Sequence, residues 1–89
     1  MYVFKVSEHL QGILGKLSKK NKQLYERVMS KIYEIVNSPD VEHYKNLRYN
    51  LKDSKRAHIG HFVLVFQYDK NTNEINFDDF DHHDKIYKK

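Results

Sequence analysis

Residues 56–81 read RAHIGHFVLVFQYDKNTNEINFDDFD, and this stretch decides the fold. Its first half is rich in β-branched and aromatic residues, which is typical of strands. Gly60 divides this half into two runs, so we predict strands at residues 56–59 and 61–68. Strands this close together in the chain favour antiparallel pairing.

A returning strand follows at the end of the same stretch. Residues 69–73, DKNTN, have the composition of a turn, and residues 75–81 then resume the strand pattern. Phe80 is out of phase with the two-residue period of the apolar residues before it, which predicts a β-bulge at Asp78 and Asp79. The second half of the chain is therefore predicted to form an antiparallel meander.

The first half of the chain carries helical patterns after one short strand. Residues 2–6 alternate as a strand does, and Ser7 is suited to cap a helix. Two apolar stripes with helical spacing follow. We predict that the second helix starts at Ser18 and ends before Pro39, because proline cannot continue a helix. The stripe residues are Leu10, Ile13, Leu14, Leu17, Leu24, Tyr25, Val28, Met29, Ile32, Ile35 and Val36.

Two short segments join these halves. Residues 40–45 are compatible with a helical turn, and residues 47–51 with a short strand. Since no linker, repeat or low-complexity segment interrupts the chain, residues 1–89 are predicted to form a single domain. The element order β-α-α-β-β-β indicates the α+β fold class.

The composition limits which kinds of partner the protein can have and in which cellular compartment it is expected. A formal net charge of +4 on 89 residues predicts a polyanionic or acidic partner, although a lysine-rich solvated surface gives the same charge. The chain has no cysteine, which excludes a disulfide framework and fits a reducing compartment. No apolar run reaches the roughly 20 residues that span a membrane, so we expect a cytoplasmic protein that does not contact membranes.

Histidines concentrate near one end of the predicted meander. His58, His61, His82 and His83 come from three neighbouring segments, and Arg56 shares a strand face with His58. Imidazole titrates near neutral pH, so two histidines can take the proton of a ribose 2′-hydroxyl and protonate the leaving 5′-oxygen during RNA cleavage. The same histidines are also compatible with a structural role as hydrogen-bonding residues at strand ends.

A metal site is a further interpretation of DHHD at residues 81–84. In an extended chain adjacent side chains point to opposite sides, and no HxH or HxxxH spacing is present, so we do not expect these residues to bind one ion together. A site assembled from His58, His61 and His83 is conceivable. We therefore predict no bound metal and no other cofactor.

Four stretches of the chain together resemble the RelE/ParE superfamily of toxins from type II toxin–antitoxin modules. YVFKVSEHLQGILGKLSKKNKQLYERVMSKI is similar to the family's first strand and helical hairpin, and NSPD to its helix-ending proline. LRYNLKDSKRAHIGHFVLVFQY is similar to its strand hairpin, and INFDDFDHHDKIYKK to its closing segment. The resemblance covers nearly all of the chain and implies two N-terminal helices packed on a small twisted antiparallel sheet.

Within the superfamily the chain is most similar to the mRNA-cleaving branches, in particular YafQ-like toxins. AHIGHFVLVF supplies His58 as the counterpart of a family histidine, and His61 stands near the position of a family aspartate. In DHHDKIY, His83 and Tyr87 match a later histidine and the aromatic residue four positions on. The resemblance implies catalytic roles for His83, His58, His61, Tyr87 and Arg56.

The resemblance implies a ribosome-dependent endoribonuclease that cuts mRNA in the ribosomal A site by metal-free acid–base transesterification. Such a toxin inhibits translation and is neutralised by a cognate antitoxin. Two alternatives stay open: a ParE-like inhibitor of DNA gyrase, and a catalytically degenerate module that only binds an antitoxin. RNA contacts are expected from Lys52, Lys55, His82, Phe62, Lys19, Lys20, Lys22, Arg27, Lys85, Lys88 and Lys89.

Overall fold

The structure of the chain, a computed structural model, describes residues 2–44 and 54–88. The predicted strand at residues 47–51 lies outside the described residues. The predicted helical turn is present as a short 3-10 helix. The elements are β1 (Val3–Val6), α1 (Glu8–Lys20), α2 (Lys22–Val36), the 3-10 helix (Val41–His43), β2 (Lys55–Ile59), β3 (Phe62–Asp69), β4 (Glu74–His82) and α3 (His83–Lys88).

The four strands form one sheet in the order β1-β4-β3-β2. The meander is antiparallel as predicted, whereas β1 runs parallel to β4, with Val3 opposite Glu74 and Val6 opposite Phe77. The α+β class is confirmed, but the sheet is mixed rather than wholly antiparallel. The two long helices lie between β1 and the meander in the chain, so β1 reaches the sheet through a helical crossover, as parallel pairs require.

The predicted bulge is present in β4. Val65 pairs with Asp79 and Phe66 pairs with Phe77, so Asp78 is the extra residue of β4. The Ser7 hydroxyl donates a 2.8 Å hydrogen bond to the backbone carbonyl of Asp78, which ties the bulge to the start of α1. The bulge corrects the phase of the strand, so that both Phe77 and Phe80 are buried.

The boundary between the first two helices differs from the prediction. Ser7 caps α1 as expected and accepts a hydrogen bond from Leu10 N. Ser18 does not start a new helix, because it lies within α1 and its hydroxyl donates to the carbonyl of Gly15. Asn21 ends α1 and caps α2, since its side-chain oxygen accepts from Leu24 N.

The sheet has an apolar core on each face. The larger core joins α1 and α2 to sheet residues such as Ile59, Leu64 and Phe77. The smaller core joins Val63 and Val65 to Ile86 of α3. We call the second side the α3 face: the sheet face opposite α1 and α2, carrying Val63 and Val65. Among the described residues, no helix has the length and apolar character needed to cross a membrane.

Candidate functional site

Strand β2 presents two of the predicted catalytic residues on the α3 face. Ala57 and Ile59 are buried in the helix-facing core, so the alternating residues Arg56 and His58 point the other way. Arg56 is paired across the strands with Val65, and His58 with Val63. The two side chains therefore lie beside the smaller core.

Helix α3 brings the C-terminal residues to the same face. Its side chain Ile86 is only 2% exposed and packs against Val63 and Val65, with Tyr87 packed beside it. This six-residue helix is not evident in the sequence, because HDKIYK contains a single buried apolar residue. Packing of Ile86 orients the rest of α3.

Arg56 and Tyr87 are joined directly. Arg56 Nη1 donates a 2.5 Å hydrogen bond to the Tyr87 hydroxyl, and the Arg56 Cζ atom lies 5.8 Å from the centre of the Tyr87 ring. Both side chains are half-buried. The pair connects β2 to α3 and places a fixed positive charge on the α3 face.

His58 is electrostatically coupled to its neighbours on this face. Partial burial, followed by the positive charges of Arg56 and His83, lowers the pKa of His58 below its usual value near 6.5. The neutral imidazole is therefore the favoured form of His58 at neutral pH, which suits a proton acceptor.

The remaining histidines of the predicted cluster meet where β3 begins and β4 ends. The His83 backbone N–H donates a 2.9 Å hydrogen bond to the His61 carbonyl. The rings of His61 and His82 stack at 6.1 Å, and those of His82 and His83 at 4.8 Å. The structure thus brings His61, His82 and His83 together, while the link of this group to His58 is the effect of the His83 charge, which lowers the pKa of His58.

The end of β4 does not follow the extended geometry that the sequence suggested. Because α3 starts at His83, nitrogen and oxygen atoms of His82, His83 and Asp84 lie within 4.8 Å of one another. His83 Nδ1 is 3.0 Å from Asp84 Oδ1, and His82 Nδ1 is 3.7 Å from Asp84 Oδ2. The side chains of His82, His83 and Asp84 therefore do not point apart as expected of an extended chain, and Asp84, which that expectation set aside as a shared ligand, lies beside His83.

The predicted RNA-binding residues are scattered over the molecule. Lys55 donates hydrogen bonds to the carbonyls of Glu42 and Tyr44, and Phe62 stacks on Phe80 on the helix side of the sheet. These contacts separate Phe62 from the Arg56 side of the sheet. Lys52, Lys89 and the side chain of Lys88 lie outside what the structure describes. Exposed cations are Lys19, Lys20, Lys22, Arg27 and Lys85.

An open groove of about 630 Å³ runs between α2 and β2. Because β2 is an edge strand of the sheet, His58 also lines this groove, together with Arg27, Lys31 and Glu34. Lys31 was not singled out from the sequence, where it is one of many helical lysines. Glu34 accepts hydrogen bonds from Lys31 and from Tyr44, and burial together with Glu34 raises the pKa of Tyr44 to about 12.

The aspartates of β4 have local partners. Asp79 Oδ1 lies 2.9 Å from His9 Nε2 and accepts from the backbone N–H of Phe80. Asp81 Oδ1 accepts from the backbone N–H of His82. Burial, then the charge of Asp79, raises the pKa of Asp78 above its usual value. The contact with His9 draws the Asp79 carboxylate toward α1, whereas Asp81 is paired with Val63 and therefore stays on the α3 face.

Known proteins resemble the chain in both sequence and fold. A curated protein of Methanocaldococcus jannaschii named "Putative toxin RelE4" is 49% identical over 90 residues, covering 100% of this chain and 94% of that protein. The toxin–antitoxin complex RelBE2 of Mycobacterium tuberculosis superposes with a TM-score of 0.75 at 20% identity, covering 91% of this chain and 90% of that one. A metal-bound toxin from Helicobacter pylori superposes with a TM-score of 0.67 at 25% identity, covering 97% and 99%. No model of a described protein family matches the chain.

Proposed function

Because the chain belongs to the RelE/ParE superfamily of toxins, we propose that it is a ribosome-dependent endoribonuclease of the YafQ-like kind. It cleaves mRNA in the ribosomal A site by acid–base transesterification that needs no metal. Cleavage of mRNA inhibits translation, and the protein therefore acts in the cytoplasm. A cognate antitoxin neutralises it, as the M. tuberculosis complex of the same fold suggests.

The observation that carries this proposal is the arrangement of the α3 face. His58, coupled to His83, lies on the same face as the hydrogen-bonded pair Arg56 and Tyr87. Transesterification needs one group that takes the 2′-hydroxyl proton, one that protonates the 5′-oxygen, and a cation that stabilises the charge on the phosphorane. Two histidines and one arginine meet these needs.

The lowered pKa of His58 suggests which histidine accepts a proton and which one donates a proton. A neutral His58 accepts the 2′-hydroxyl proton, and His83 in its protonated form donates to the leaving oxygen. Arg56 stabilises the phosphorane, and Tyr87 orients the scissile phosphate through its hydroxyl. His61 supports His83 through the backbone hydrogen bond between them.

The exposed cations supply the contacts to ribosomal RNA. Lys19, Lys20 and Lys22 are exposed around the junction of α1 and α2, and Arg27 is exposed on α2. Phosphate contacts of this kind release counterions, so the affinity for the ribosome falls steeply with salt.

The test is to express the chain with and without its antitoxin and to map the 5′ ends of cellular mRNA. The wild type should produce cuts in phase with codons and arrest growth, whereas His83→Gln should lose cleavage by a factor of roughly 10² to 10⁴. His9→Gln, which changes an exposed histidine on α1, is the matched control. Intact mRNA accompanied by DNA damage would instead indicate a gyrase inhibitor.

A further inference from the structure

The junction of β4 and α3 gathers three potential metal ligands on one side of the chain. β4 ends at His82 and α3 begins at His83, so the backbone turns between them. The turn places an imidazole nitrogen of each histidine and a carboxylate oxygen of Asp84 within 4.8 Å of one another.

The distances are close to those of a coordination shell. Four ligands at about 2.1 Å from a tetrahedral ion are separated by about 3.4 Å. The Asp84 oxygens lie 3.0 Å from His83 Nδ1 and 3.7 Å from His82 Nδ1, on either side of that value. Small rotations of the side chains therefore suffice to form three bonds to one ion.

The surroundings permit these rotations. The side chains of His82 and His83 are 39% and 43% exposed, so an ion and its water ligands can reach them. The His82 nitrogen accepts a hydrogen bond from Asp84 N that is 3.3 Å long, and a metal bond would replace this weak contact. Stacking against the ring of His61 limits the motion of His82, so the rotations fall mainly to His83 and Asp84, whose side chains are 43% and 62% exposed.

We infer that His82, His83 and Asp84 form a binding site for one divalent transition metal ion of the zinc class, with water completing the coordination. Two imidazoles and one carboxylate are ligands that zinc prefers, whereas calcium and magnesium prefer oxygen ligands alone. Binding of the metal ion at this site does not depend on whether the protein is a nuclease.

One consequence does rest on the proposed function. While a metal ion is bonded to one ring nitrogen, His83 cannot become the imidazolium that is proposed to protonate the leaving oxygen during RNA cleavage. The metal therefore inhibits the toxin and is not a cofactor of its reaction. Toxin with metal bound and toxin active in cleavage are mutually exclusive states.

The binding test is a calorimetric titration of the full-length, chelator-treated chain with zinc chloride. We expect one ion per chain, binding that weakens as pH falls, and a loss of affinity of about tenfold or more in Asp84→Asn and in His82→Gln. His9→Gln should bind as the wild type does. Absence of binding, or wild-type affinity in both site variants, would overturn the site.

A second measurement separates the site from the proposed function. Zinc should stop mRNA cleavage by the wild type at concentrations that leave the activity of Asp84→Asn unchanged, with each protein compared with its own rate in the absence of zinc, because the variant has lost one metal ligand. Equal inhibition of both proteins would refute the exclusion between metal and catalysis. Zinc binding by a wild type that never cleaves mRNA would refute the nuclease and leave the metal site standing.

Discussion

Replacing Ile86 with alanine tests whether one side chain holds α3, and with it His83 and Tyr87, on the sheet. Ile86 is 2% exposed, and it packs against Val63 and Val65, which are 0% and 6% exposed. Truncation of a buried isoleucine to alanine destabilises a protein by about 2–5 kcal/mol. Because Ile86 joins α3 to the sheet, this substitution weakens the attachment of the helix.

The expected destabilisation is local. A helix of six residues is not stable by itself, so α3 depends on this packing for its order. A loss of about 3 kcal/mol raises the equilibrium constant for detaching α3 by roughly 10²-fold. The core between the sheet and the two long helices is unchanged by the substitution, so global unfolding should change less.

Native-state hydrogen exchange measures the detachment of α3 and the global unfolding of the protein in one experiment. The amide protons of α3 should exchange roughly 10²-fold faster in Ile86→Ala, while those of α2 and β3 change much less. Leu64→Ala, which truncates a buried residue on the opposite sheet face, is the control and should accelerate exchange throughout the protein. Equal acceleration of α2 and α3 in Ile86→Ala would refute the local role of Ile86.

Three further predictions concern the turn, the bulge and the α3 face. Gly60 has φ of 60°, so Gly60→Ala should lower the free energy of unfolding by about 1 kcal/mol in urea denaturation, and an unchanged midpoint would contradict this. Since the pKa of Asp78 is raised, its charged form destabilises the fold at neutral pH. Asp78→Asn should therefore raise the melting temperature there, and the gain should decrease as the pH falls through the pKa of the folded state and vanish below the ordinary value near 3.8. Arg56→Gln removes a charge that lowers the pKa of His58, so NMR titration should show that pKa rising, and a further fall would exclude the assigned cause.

The sequence predicted the strands and the bulge because local patterns determine them. Phe80 departs from the period of two, and only an extra residue in β4 allows both it and Phe77 to be buried. The alternating residues of β1 identify a strand, but they do not indicate its direction in the sheet or the strand with which it pairs. The parallel pairing with β4 depends on the path of the two helices and could not be read from residues 2–6.

Two predictions were wrong for different physical reasons: two local capping signals compete between α1 and α2, whereas tertiary packing determines α3. Ser18 and Asn21 are both suitable helix caps, and the structure uses Asn21 because the Ser18 hydroxyl bonds back to Gly15. At the other end of the chain, α3 depends on the packing of Ile86 against residues of β3. A short helix that is stabilised by tertiary contacts leaves little signal in the sequence, and the proximity of Asp84 to His83 was missed for that reason.

The parallel pairing of β1 determines the order in which the protein can fold during synthesis. β1 leaves the ribosome well before its partners Glu74–Phe77 are made, because α1, α2 and the first strands of the meander lie between them in the chain. Contacts across such a separation are slow to form, because the intervening chain must be ordered first. Helices α1 and α2 can form before β4 is made, whereas the edge strand β1 stays without its partner until β4 has been synthesised.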